Sequence, residues 1–504
     1  MKLSDLKDKP MFWLVLIFLI VLAVRMYVAF QTPLFNYDAY FNLRQVEHIK
    51  DTGLPLYKDP LSYGGKTQLF APLNDYILAG FSLVMPINLA GKIIPNILAA
   101  LLIFIVYYLA LKITKNNKIS LFTSFMAGFM PIYFIDVNRI SVNYLAVLLV
   151  FMIVYCMLRL NERKYVDYSL ILMFLLVLTT PMAFILVIGL LLYLLFLKLE
   201  NLSIEMKELE IILFFTFLVF WVNLLMYKNA FLMHGLLVIW QNIPTQLLSQ
   251  SFSTISFVQL FLAIGIIPLI FGVYAFYASF HFEHSKEVLL VISLGISAFI
   301  LLWFKLLDLV SGLIFLSVSL VILTAYSLKS IDEFIAKSKI HRYSSLVYSA
   351  IILLFIITII PSLLVISHSR SVGPLNTPGN GAIETLKWAK DNTQKNAVIA
   401  TGLDEGNIVT YYSARQDIMD TKFLLTQGID QRLSDIDELY TTTFETKALE
   451  ILSKYNSRYL LVTPSTLQHY KITDVSYVKD DKCFKLIYER EDTYLYRIDC
   501  KLEG

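Results

Sequence analysis

Met11-Phe12-Trp13-Leu14-Val15-Leu16-Ile17-Phe18-Leu19-Ile20-Val21-Leu22-Ala23-Val24-Arg25-Met26-Tyr27-Val28-Ala29-Phe30 is a twenty-residue run with one charge, Arg25. The core of a bilayer takes about 20 apolar residues per helix, so this run reads as a transmembrane span. Ten further runs read the same way, at 94–113, 119–135, 142–160, 168–181, 182–199, 210–227, 255–279, 287–304, 308–328 and 345–367. Hydrophobic residues make up 57% of the 504 and charged residues only 16%, where a soluble chain is about a quarter charged. The expected class is therefore a polytopic α-helical membrane protein of about eleven spans. A net charge of +3 is too small for a nucleic-acid partner. The three cysteines, Cys156, Cys483 and Cys500, exclude a disulfide-rich scaffold and a cysteine zinc site.

The fifth and sixth runs meet at Thr179-Thr180-Pro181, and proline predicts a break there. Residues 73–93 are apolar but hold Asn74, Asp75, Pro86 and Asn88. They read as interfacial; crossing the bilayer, they would make a twelfth span. No small-residue cleavage site follows the first run, which predicts an uncleaved span and not a signal peptide. With the N-terminus cytoplasmic, the inner loops carry 16 Lys and Arg in 60 residues and the outer loops 8 in 99. That bias sets the orientation, and eleven crossings put the C-terminal part outside the cytoplasm.

Residues 1–367 thus read as a transmembrane domain with a long first outer loop, 31–93. Residues 368–504 are different material: charges return, and Gly373-Pro374 and Pro378-Gly379 mark a linker. Helices are expected over 382–392 and 444–456, strands over 395–400 and 459–462, and a hairpin over 483–500. This alternation predicts an extracytoplasmic α/β domain. In a symmetric hairpin Cys483 and Cys500 fall opposite each other, close enough for a disulfide.

Transporters carry ionisable groups inside their spans. Here the spans are nearly bare, and Arg25 sits where a long side chain can snorkel to the outer interface. Polar residues gather instead on the outer face. In Phe35-Asn36-Tyr37-Asp38-Ala39-Tyr40-Phe41-Asn42-Leu43-Arg44 a resumed helix would align Asp38, Asn42 and Gln45 on one face. A carboxylate there, flanked by Tyr37 and Tyr40, suits a cation or an acceptor group. The plainer reading is a solvated, helix-capping Asp38.

That first span and loop, with Leu69-Phe70-Ala71-Pro72 before the next span, resemble the catalytic subunit of oligosaccharyltransferase, a C-type polytopic membrane glycosyltransferase. The resemblance implies that Asp38 ligates a catalytic divalent cation, Mg or Mn, and contacts the acceptor. Phe129-Met130-Pro131 and Asp136–Ala146 fall where the family carries a second acidic motif. By offset that motif lands on Asn143 and Leu145, leaving Asp136 to substitute as metal ligand or simply to pair with Arg139. Val238-Ile239-Trp240-Gln241-Asn242-Ile243-Pro244 matches a third motif, with Gln241 in place of its Glu. Val398–Ala400 followed by Gly402-Leu403-Asp404-Glu405-Gly406, then Arg415 and Asp420, keeps step with the family's Trp-Trp-Asp-Tyr-Gly region without its aromatics. By itself, that stretch is a strand-to-helix turn with Asp404 as N-cap.

The resemblance implies transfer of sugar or oligosaccharide from a polyprenyl (dolichyl) phosphate carrier to a polypeptide or glycan acceptor on the outer face of the cell membrane. Asp38 would be catalytic, with Asp38 and Asp136 on the metal. Tyr37, Arg44, Arg139, Asn143, Gln241 and Asp404 would bind substrate, with Arg44, Arg139 or Lys228 facing the leaving phosphate. The alternative is an inactive relative that binds a lipid-linked glycan or a partner subunit.

Overall fold

In the computed structural model, which describes residues 9–238, 257–281, 285–337, 349–360, 377–479 and 482–500, the first run is the helix Pro10–Phe30. Pro10 stands at its start, where a missing N–H leaves no bond unmade. Among the described residues, seven helices are long and apolar enough to cross a membrane. Shorter apolar helices occupy Asn143–Met157, Ile266–His281 and Ser349–Ile360. Leu309–Lys337 is buried along most of its length, within the same apolar core as Val147, Phe151, Val291 and Ile185. Met206–His234 instead turns Phe217, Phe220, Trp221 and Leu224 outward, as a surface facing lipid does.

The break at Pro181 is present. The helix Arg163–Thr179 ends there, and the Thr180 hydroxyl accepts the Met182 N–H at 3.1 Å. The run at 255–279 is divided, because Gly265 adopts a φ of +95° between Phe257–Ile264 and Ile266–His281. The interfacial stretch becomes a short helix, Leu73–Phe81, and the next span starts early, at Ile87.

Arg25 does not snorkel. It is fully buried, giving Nε to Asn96 Oδ1 at 3.0 Å and Nη1 to the Tyr133 carbonyl at 2.9 Å. Its guanidinium lies against the rings of Tyr133, Phe134 and Tyr144. The rings and carbonyl replace the water that snorkelling would have sought. Lys92 likewise turns inward, to the carbonyls of Ala29 and Thr32, and so fixes where the chain leaves the first span.

The C-terminal domain is built on a five-stranded mixed sheet. Its strands are β3 (Val398–Ala400), β4 (Gln416–Asp417), β5 (Ser457–Val462), β6 (Phe484–Arg490) and β7 (Thr493–Ile498), in the order β4-β3-β5-β7-β6. The expected helices appear as Asn380–Asn392 and Glu445–Lys454. Ile429–Thr441 is a further helix that the sequence reading did not place. Two short strands of the first loop, β1 (Lys58–Asp59) and β2 (Lys66–Thr67), dock this domain onto the membrane part. Ser62 bridges to Asp417, Lys66 pairs with Asp420, and Arg44 grips Asp59 through two nitrogens at 2.6 and 2.8 Å. Asp417 lies fully buried among these groups. Burial, then the charge of Asp420, holds its carboxyl well above the usual range.

Cys483 and Cys500 form a disulfide, with Cα atoms 4.9 Å apart. The hairpin turns on Glu491 and Asp492, both at positive φ, as tight hairpin turns require. A bulge between Leu486 and Tyr488 shifts the register by one, so Cys483 faces Asp499 and the bond reaches one residue beyond. It closes 17 residues of sequence separation. Cys483→Ala with Cys500→Ala is expected to cost the C-terminal domain about 3 kcal/mol, read as a lower denaturant midpoint. Free alkylation of both thiols before reductant is added would reject the pairing.

Candidate functional site

Asp38 sits in the first turn of the helix Tyr37–Thr52 and does not cap it; the cap position is Asn36. That helix is laid along residues 136–141. Asn36 N–H meets the Asn138 carbonyl at 3.3 Å, and Asn42 Nδ2 meets the Ile140 carbonyl at 2.8 Å. On the other side it carries the C-terminal domain. The Tyr40 ring lies tilted against those of Tyr411 and Tyr412, and Tyr411 gives its hydroxyl to Glu47 at 3.0 Å. Three separate stretches therefore meet at Asp38: the first loop, the 136–143 segment and the C-terminal domain.

The meeting point is a chain of polar contacts. Arg139 Nη2 reaches Asp38 Oδ2 at 2.7 Å, and the Thr421 hydroxyl donates to Asp38 Oδ1 at 3.1 Å. Asn407 Nδ2 holds Thr421 at 2.9 Å. Arg139 Nη1 lies 3.7 Å from Asp136 Oδ1, while Asn143 Nδ2 donates to Asp136 Oδ2 at 3.3 Å. Asn143 in turn accepts from Ser311 Oγ at 2.9 Å. Asp136 is buried; Asp38 and Arg139 each keep 36% of the side chain exposed. Asp38 and Arg139 thus stay partly open at one end of this polar cluster, with Asp136 closed in behind them.

Burial opposes the charge on Asp38, but Arg139, Lys422 and the Thr421 hydroxyl outweigh it and hold the carboxyl below its usual range. Arg139 is held firmly protonated, since Asp136, Asp38 and Asp308 together override its burial. Asp404 behaves oppositely. Surrounding protein, then the charge of Asp38, raises its carboxyl to about 6, with His469 pulling the other way. Asp404 keeps its side chain open on the face of the turn that senses Asp38, and is not an N-cap. Tyr37 is buried, hydrogen-bonded to Ser465, and its hydroxyl is pushed up by burial and by Glu405.

The polar cluster thus brings together Asp38, Asp136, Arg139 and Asn143, with Asp404 and Tyr37 beside them. Gln241 lies outside the described residues. Arg44 is corrected: both its terminal nitrogens are committed to buried Asp59, so it is a joint residue and not a phosphate contact. Arg415 also leaves the site, turning to the end of the helix Asn380–Asn392.

Sequence reasoning missed Lys422. It is half-buried, over the Phe41 ring at 5.1 Å, with its charge felt by Asp38 and Asp75. Among the described residues no carboxylate lies within ion-pair distance of it. Asp75, fully buried, is raised to about 8 by burial, so near neutral pH the charge of Lys422 acts mainly with Asp38. Asp420, two residues before Lys422, was the available signal.

The residues present do not suit a divalent cation. Among the described residues no three of His, Cys, Asp or Glu are placed to hold one. A guanidinium already lies between the two carboxylates, and Asn143 brings no charge.

No family model matches the sequence, and no curated protein matches it. Solved structures do. The archaeal oligosaccharyltransferase AglB from Archaeoglobus fulgidus, in complex with an inhibitory peptide and a dolichol-phosphate, superposes with a TM-score of 0.67 at 14% identity, covering 89% of this chain and 69% of that one. The same organism's oligosaccharyltransferase in complex with Zn and sulfate gives 0.62 at 14% identity, covering 94% and 72%. ArnT from Cupriavidus metallidurans bound to undecaprenyl phosphate gives 0.60 at 12% identity, covering 96% and 98%. The chain therefore has the fold of the oligosaccharyltransferase-like polytopic membrane glycosyltransferases.

Proposed function

We propose that this chain transfers a sugar or oligosaccharide from a polyprenyl (dolichyl) phosphate carrier to a polypeptide or glycan acceptor at the outer face of the cell membrane. One observation carries the reading: an ionised, partly open Asp38 where three stretches of chain converge, with cations Arg139 and Lys422 beside it. The N-terminus lies in the cytoplasm, and residues 368–504 form an outer domain after a membrane domain of residues 1–367. The disulfide suits an oxidising compartment.

In this reaction an acceptor N–H or O–H attacks the anomeric carbon, the bond from that carbon to the phosphate oxygen breaks, and the proton passes to the protein. Two carboxylates whose environments push their pKa values apart take different roles. Asp38, its carboxyl held below the usual range, orients the acceptor and stabilises positive charge growing on the sugar. Asp404, poised near neutrality, takes the proton. The phosphate departs toward Lys422 and Arg139. Tyr37, Asn143 and Gln241 complete the substrate-binding set. No step is routed through a metal.

Purified protein given lipid-linked sugars should release lipid phosphate. Donor binding without release would turn the reading to an inactive relative, which the loss of charge at Asn143 and Leu145 favours. The pH profile is a sharper test. Below about 6 Asp404 is protonated and cannot accept a proton, so transfer should climb through that pH and level off. Asp38 adds no step there, because its carboxyl titrates lower. Asp404→Asn should remove the step; a step that survives would take Asp404 out of proton transfer.

A further inference from the structure

We propose that Arg139 permanently takes the place of a divalent cation in this polar cluster, so that the protein works without one. The inference goes beyond the transferase reading and concerns only what fills the space between Asp38 and Asp136.

Each carboxylate oxygen of Asp38 and Asp136 already faces a donor. Asp38 Oδ1 accepts the Thr421 hydroxyl at 3.1 Å, and Asp38 Oδ2 accepts Arg139 Nη2 at 2.7 Å. Asp136 Oδ2 accepts Asn143 Nδ2 at 3.3 Å, and Asp136 Oδ1 faces Arg139 Nη1 at 3.7 Å. Asn143, which stands where an acidic ligand was expected, has its carbonyl oxygen engaged by Ser311 at 2.9 Å. The position of Arg139 is built in. Its N–H closes a turn onto the Asp136 carbonyl at 3.0 Å, which sends the side chain back between the two carboxylates. Asp308 lies near enough to favour its charged form.

Hard cations need several oxygens at about 2.0–2.6 Å around one point. Here two carboxylates are bridged by the two nitrogens of a planar fork, a geometry guanidinium matches and a sphere does not. An entering ion would also meet the fixed positive charge. Arginine supplies that charge at any physiological pH and without dependence on metal supply.

The test is a Mn2+ titration followed by electron paramagnetic resonance, on the full chain in lipid nanodiscs after chelator treatment. The wild type should show no saturable site tighter than about 1 mM, the weak end for oxygen-ligand sites. Arg139→Gln combined with Asn143→Asp should create one Mn2+ site per chain. Stoichiometric wild-type binding that Asp38→Asn abolishes would overturn the proposal. So would a folded double variant that takes up no Mn2+, since the cluster would then not be ion-shaped. If the double variant does not fold, the wild-type titration decides alone. Failure of the transferase reading would appear only as absent sugar transfer and would leave these titrations unchanged.

Discussion

Asp38→Asn should lower sugar transfer about a thousandfold, within the range for losing a positioned acid–base or electrostatic group, while the protein stays folded. Asparagine keeps the size of the side chain, and its carbonyl oxygen can still accept the Thr421 hydroxyl. What disappears is the negative charge. Arg139 keeps Asp136 as a partner, and the lost pair is partly exposed, so the stability cost is about 1 kcal/mol or less. The measurement is initial rate of lipid-phosphate release at saturating donor, beside a thermal unfolding curve. A variant within tenfold of wild type would remove Asp38 from the reaction. A variant that unfolds at wild-type working temperature would show that the charge serves the joint and not the chemistry.

The second large effect is on stability. Arg415→Ala should cost the C-terminal domain about 3 kcal/mol, the scale for losing several hydrogen bonds to a buried charged group. Arg415 is buried and donates to the carbonyls of Lys390 at 2.6 Å, Thr393 at 2.8 Å and Ser413 at 3.0 Å, and to the Thr393 hydroxyl at 2.9 Å. It satisfies carbonyls that the end of the helix Asn380–Asn392 leaves open. It also directly precedes β4, the strand that leads through Asp417 to Thr421 and Lys422. Arg415→Lys should recover only part of the loss, because one ammonium cannot replace a planar fork spread over four acceptors. Denaturant unfolding of the full chain checks both variants. A change below about 0.5 kcal/mol for the alanine would reduce Arg415 to an ordinary surface residue.

Burial made Arg25 unreadable from sequence. A basic residue near a span end has two outlets, water or a carbonyl with aromatic rings, and only packing against Tyr133, Phe134 and Tyr144 selects the second. The same holds for Arg44, whose carboxylate partner is 15 residues away across a loop. Lys422 and Asp38 are 384 positions apart, and no local pattern links them.

The sequence by itself determined the membrane class, the run boundaries near Pro181 and the hairpin with its cysteines, because these follow from apolar length, proline geometry and strand alternation, which act over tens of residues at most. The residues and the family resemblance pointed to Asp38, and the resemblance alone pointed to Asp136. Only the tertiary structure decided what lies between them. Arg139 reaches both carboxylates because Asn36 and Asn42 lay the first-loop helix against residues 138–140. Thr421 and Lys422 join them because the C-terminal domain docks on that helix. Such contacts follow from how separate elements pack, and charge pairing over a few ångströms then sets which groups are ionised.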